Sequence, residues 1–327
     1  MKRVVIGASL LLIVFAMAGL RSGRAQQASP AGQESNNGAP PPANPLKVAI
    51  LHWYQANRTT AFKVGKQPYW VAFDGANIWS ANYEDNTVTK LQANDGENLG
   101  TFPVGEEPDI VAFDGASIWV GNYGDGTVSK LRASDGKNLG TFTTGREPSG
   151  LAFDGENMWV ANAGDGDVVK LRAKDGKNLG TFGGGGSGEL AFDGTYIWVT
   201  QGNTVQRLKE DGSEAGTFKV GSQPIGIAYD GANIWVANNS SGTVSKLRAK
   251  DGTNLGAFKY PGSPYGVAFD GANIWVSGSP YVVEYRDADG AQIGGMFHIE
   301  GSSTAGIAFD GANIWVAATY NNAVNKM

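Results

Sequence analysis

The chain has 327 residues, 48 of them glycine, with 17% charged residues, no cysteine and a formal charge of −5. Without disulfides, a hydrophobic core must hold the fold alone. The acidic balance argues against nucleic acid or anionic lipid as a partner, because both need a basic footprint.

In chain order, Met1, Lys2 and Arg3 precede an apolar run from Val4 to Leu20, and Gly23 and Ala25 are small residues suited to cleavage after Ala25. This layout predicts a secretory signal peptide over 1–25 and a periplasmic or secreted protein. An uncleaved anchor is the alternative, although the run is marginal for spanning a bilayer. Cleavage removes Lys2, Arg3, Arg21 and Arg24 and no acid, which takes the formal charge to −9. Residues 26–45, rich in Pro, Gly, Asn, Gln and Ser, are expected to be a flexible linker. No later stretch is apolar enough for a membrane span. Leu46 to Tyr54 is β-prone, an added edge strand or a cap, and opens the predicted domain over 46–327.

Seven tryptophans then fall in register, at Trp79, Trp119, Trp159, Trp198, Trp235, Trp275 and Trp315, with intervals of 40, 40, 39, 37, 40 and 40. Each ends a copy of Phe/Tyr-Asp-Gly-x-x-Ile/Met-Trp. A period near 40 residues with four strand signals per unit predicts an all-β, seven-bladed β-propeller of four-stranded antiparallel blades. In the unit after Pro148 the strands are expected at 150–153, 157–162, 167–172 and 179–182, separated by Asp-Gly turns. The last unit supplies only three strands before Met327, while Thr60 to Gly65 repeats the pattern of Gly140 to Gly145. The N-terminal strand is therefore expected to complete the C-terminal blade, and closure removes exposed sheet edges.

The run from Trp235 to Ala268 contains Trp-Val-Ala-Asn, Gly-Thr-Val-Ser-Lys-Leu and Asp-Gly, with a connection of the form Gly-Ser-x-Pro-x-Gly-x-Ala that is complete at 221–228. These motifs resemble the YVTN-type repeats of bacterial exported propellers, from about Thr60 to the C-terminus. The resemblance implies architecture more than activity. The neighbouring streptogramin (virginiamycin B) lyases are also seven-bladed and use a mouth-facing histidine with acidic groups and magnesium. No residue here matches that histidine, so the resemblance does not carry the activity over.

Features shared by all blades are expected to serve the blades: the tryptophans by packing, the Asp-Gly pairs as turns. The Lys-Leu-Arg triplets at 130–132, 170–172 and 246–248 read as partly exposed strand faces. Differences between blades point to function. The fourth-to-first connections and second-to-third loops should gather around the channel mouth. There Tyr69, Trp70, Tyr83, Tyr123, Tyr281 and Tyr320 form an expected aromatic sector. Glu106, Glu107, Asp109, Asp125, Glu147, Asp165, Asp167 and Glu189 form an acidic one, with Arg146 the one nearby base. Blade four replaces its proline connection by Gly183 to Gly186.

No nucleophile elbow, cysteine nucleophile or phosphate loop is present, and His52 and His298 have no metal-pair spacing. The expected function is non-catalytic recognition or scaffolding of a protein, peptide or glycan by a monomer. Its expected ligand-binding residues are Tyr69, Trp70, Tyr83, Asp109, Tyr123, Glu147, Glu189, Tyr281 and Tyr320. No catalytic residue, metal ligand or cofactor is assigned. The alternative is a hydrolase or lyase using mouth acids, with calcium or magnesium near Glu189 and Asp109.

Overall fold

The computed structural model describes residues 59–183, 188–299 and 303–327. The expected signal peptide, the linker, Leu46 to Tyr54 and His52 lie outside the described residues. The rest forms seven four-stranded antiparallel sheets. Strand β1 (Thr60–Lys63) is followed by blade one: β2 (Pro68–Phe73), β3 (Asn77–Asn82), β4 (Thr87–Gln92) and β5 (Asn98–Pro103). Five further blades repeat this order. The seventh has Thr304–Phe309, Ile314–Ala318 and Ala323–Lys326, and takes β1 as its fourth strand. The register is Thr60 opposite Lys326 and Lys63 opposite Ala323, so the ring closes by backbone pairing of the two ends of the sheet region.

Each repeat residue has a visible role. The Asp154 carboxylate accepts from the Trp159 indole at 2.7 Å and from the amides of Glu156 and Asn157 at 2.9 and 2.6 Å. The same aspartate–indole bond recurs in every blade. One side chain thus closes the turn and satisfies the polar edge of a buried aromatic ring. A phenylalanine from the fourth strand lies against each tryptophan, as Phe142 does on Trp119 at 5.8 Å and Phe62 on Trp315 at 5.5 Å.

The lysines of the Lys-Leu-Arg triplets correct the expectation of an exposed strand face. Lys130 and Lys170 are buried, and each ammonium stands over the tryptophan ring of its own blade, 5.0 and 4.8 Å from the centroid. Lys130 also donates to the Ala173 carbonyl of the next blade at 2.5 Å, and Lys170 to that of Glu210 at 2.9 Å. The long apolar stem packs inside while the charged head ties neighbouring blades together. The arginines behave as expected, pairing with turn aspartates such as Asp135 and Asp175 at the surface.

Strands match the expected positions to within about two residues. The third blade's first strand begins at Pro148 rather than 150. Its pairing slips between Pro148 and Gly150, and a comparable slip recurs in every first strand that follows a proline connection. Such bulges redirect side chains. Here they aim the residue after each proline at the central channel.

Candidate functional site

The fourth-to-first connections and second-to-third loops meet on one face because the backbone ties them together. The amide of Tyr83 donates to the Gln67 carbonyl at 3.0 Å, Tyr123 to Glu107 at 3.0 Å, Ala163 to Glu147 at 2.8 Å and Asn239 to Gln223 at 2.9 Å. The accepting residues Gln67, Glu107, Glu147 and Gln223 all precede a proline and all have φ between 48° and 58°. Left-handed geometry is costly for side chains other than glycine and tends to mark functional positions. Here it sits on the rim.

Inside that rim is a cavity of about 630 Å³. Its channel-facing ring is the residue after each connection proline, with Tyr69, Asp109, Ser149, Ile225 and Tyr265 in blades one, two, three, five and six, and Gly188 in blade four. The second-to-third loops add Tyr83, Tyr123, Ala163, Thr319 and Tyr320. Aromatic side chains therefore occupy one arc. Tyr123 lies 6.5 Å from Tyr83, Tyr83 lies 5.7 Å from Tyr69, and Tyr69 meets Tyr265 edge-on at 5.8 Å. These separations suit mutually supporting rings.

Carboxyl groups complete the wall. Tyr83 donates its hydroxyl to Glu107 at 2.8 Å, and Tyr123 is paired in the same way with Glu147. Burial, reinforced by Glu147, pushes the Tyr123 hydroxyl up to about 12. Asp109 and Glu189 face the channel, enclosed by protein while keeping partial contact with the cavity. Burial alone lifts Asp109 to about 7. It lifts Glu189 to about 8, with the Asp109 charge adding and a 3.0 Å bond from the Ile227 amide opposing. Loss of solvation penalises the charged form of each acid more than that single amide bond favours it. Among the described residues no lysine, arginine or histidine lines the cavity.

Of the nine expected residues, eight line this cavity: Tyr69, Trp70, Tyr83, Asp109, Tyr123, Glu147, Glu189 and Tyr320. Tyr281 does not. Its carbonyl accepts from the buried Tyr260 hydroxyl and its ring lies 5.6 Å from His298, so it packs within blade six. Trp70 contributes a wall yet is only 7% exposed, lying against Gly306 and beside Tyr265 at 6.1 Å. It supports the arc more than it presents a face. Tyr320, 69% exposed, stands at the outer rim.

The acidic sector divides. Asp125 accepts from the Glu106 amide at 3.0 Å, Asp165 from that of Arg146 at 2.6 Å, and Asp167 from the Asn162 side chain at 2.7 Å. These three acids serve the loops. Arg146 is held by Asp165 at 2.7 Å and by the Gly164 carbonyl. Sequence reading missed Tyr265, Ser149 and Gln223. For Tyr265 and Ser149 the signal was one column away, at the residue directly after the proline. The comparison between blades fell on the next residue, where Trp70 and Glu189 also reach the cavity. Gln223 precedes its proline and is marked by its left-handed backbone, which the sequence does not show.

Among the described residues no three histidine, aspartate or glutamate side chains are grouped to hold a metal ion. No described helix is long and apolar enough to cross a membrane. His298 ends the fourth strand of blade six, away from the cavity.

No protein-family model and no curated protein matches the sequence. Among solved structures the fold is similar to a streptogramin B lyase, with a TM-score of 0.71 and 16% identity over 82% of this chain and 96% of that one. It is also similar to virginiamycin B lyase from Staphylococcus aureus, in a catalytically inactive histidine-to-alanine form with quinupristin. That match has a TM-score of 0.69 and 19% identity, covering 82% of this chain and 98% of that one. At such identities the likeness establishes a shared seven-bladed architecture.

Proposed function

We propose that this chain is an exported recognition module that binds its ligand, whether a small molecule or a group carried on a protein, peptide or glycan, in the mouth cavity. The observation that carries the reading is the convergence of Tyr69, Tyr83, Tyr123 and Tyr265, drawn from three blades, on one cavity. Aromatic side chains with polar tips on a rigid scaffold supply contact area at small entropic cost. The N-terminal run Met1 to Ala25 supports export.

The test is ligand-observed NMR with soluble glycans, short peptides and small amines, comparing the natural protein with Tyr83→Ala/Tyr123→Ala. Ligands should bind the natural protein, compete with one another and lose at least about tenfold in affinity in the variant. Absence of any binder, or equal binding by both proteins, overturns the reading.

One observation favours a second reading, a lyase or hydrolase working with or without a divalent ion. Asp109 and Glu189 titrate near neutrality, the range suited to general acid–base chemistry. Under the recognition reading, quinupristin incubated with the protein is recovered unchanged on chromatography. Conversion that disappears in Asp109→Asn and Glu189→Gln favours the second reading.

A further inference from the structure

The cavity combines three features. An arc of tyrosine rings covers one side, the carboxyls of Asp109, Glu147 and Glu189 stand within it, and no basic side chain among the described residues lines it. Ring faces carry negative potential and attract cations, most strongly where water is excluded. Gln67, Ser149, Gln223 and Thr319 offer an anionic ligand neutral polar contacts, but no described side chain of the lining offers it a counter-charge. A neutral sugar gains stacking but leaves the acids without a counter-charge. We propose that the cavity takes an organic ammonium group, with the tyrosine faces as its cage and the channel carboxyls as its counter-ion. This rests on the recognition reading and names its ligand class.

The surroundings of the two acids give the proposal a second consequence. Asp109 is faced by Tyr69, Tyr83, Tyr123 and Tyr265, and Glu107 and Glu189 are the nearby acids. Arg146, whose charge interacts with that of Glu147, is engaged by Asp165 and Gly164. With no cation inside, burial keeps both channel acids largely protonated below about pH 7. An ammonium group entering the cavity favours the carboxylate form, so a proton leaves as it binds. Affinity therefore rises with pH up to about pH 8 and then levels off.

The choice of probe separates charge from shape. Choline does not titrate at its ammonium group, and 3,3-dimethylbutan-1-ol is its neutral carbon counterpart. Calorimetric titration of the full chain should show choline binding at least about tenfold more tightly than the neutral alcohol at pH 8. Choline affinity should fall about tenfold between pH 8 and pH 6. Asp109→Asn/Glu189→Gln, isosteric changes checked for folding by circular dichroism, should flatten that dependence and weaken binding at pH 8. A glycine-rich peptide with one trimethyllysine distinguishes sources. Tighter binding than choline places the ammonium on a polypeptide, and equal or weaker binding places it on a free small molecule. No choline binding, equal affinity for the neutral alcohol, or a pH-independent constant overturns the proposal. If ligands from the broader screen still depend on Tyr83 and Tyr123, recognition survives and only the cationic class is lost.

Discussion

Asp154 and Asp109 show how one residue type does opposite work in a single ring. Asp154 accepts an indole and two amides, so its charge is compensated and its carboxylate is held low despite the opposing effect of burial. Asp109 is enclosed without such compensation and is lifted to about 7. The sign for stability follows. A carboxyl raised in the folded state binds its proton more tightly there than in the unfolded chain. Asp109 and Glu189 together therefore favour folding in acid and withdraw that support as pH rises from about 4 to 8. Asp109→Asn/Glu189→Gln should leave the melting temperature nearly unchanged near pH 3, where both acids are protonated folded or unfolded, and raise it at pH 9. A variant that melts lower than the natural protein at pH 9 contradicts the assignment.

At the scale of the element, the turn between third and fourth strands is where adjacent blades touch. Gly136 has φ +72°, and a Cβ there would fall 2.2 Å from the Phe102 ring of the preceding blade. Gly115 has φ +91° with nothing within 4 Å of the same atom. The two positions separate backbone strain from inter-blade contact. Gly115→Ala should cost about 1 kcal/mol, the penalty of left-handed geometry alone. Gly136→Ala adds a clash with a packed ring and should cost at least about 3 kcal/mol in denaturant unfolding. Equal losses would mean that the Phe102 contact contributes little. The bulges after the connection prolines belong to this scale too, because each converts a repeat position into a channel-facing one.

For the whole molecule, the sequence revealed most of what is regular. Tryptophan spacing and the match of Thr60 to Gly65 with Gly140 to Gly145 announced seven blades and their closure, because packing and backbone pairing repeat with the chain. The cavity was legible only in part. Tyr83 and Tyr123 stood out as departures in a loop column, and both line the mouth. Tyr281 stood out equally, yet it packs within blade six. Tyr265 was hidden because a bulge, which no composition signal marks, decides which of two neighbouring residues faces the channel. The buried lysines were misread because their ammonium groups find rings and carbonyls in three dimensions that spacing does not show.

The central claim is that the tyrosine arc is the binding surface, and tyrosine-selective NMR tests it most directly. With ring-carbon-labelled tyrosine, a ligand from the screen, or choline at pH 8, should shift the signals of Tyr69, Tyr83, Tyr123 and Tyr265 along one saturation curve. Tyr196, Tyr229 and Tyr285, placed elsewhere in the blades, should stay still. Shifts confined to those three, or none in the arc while a ligand binds, would contradict the account.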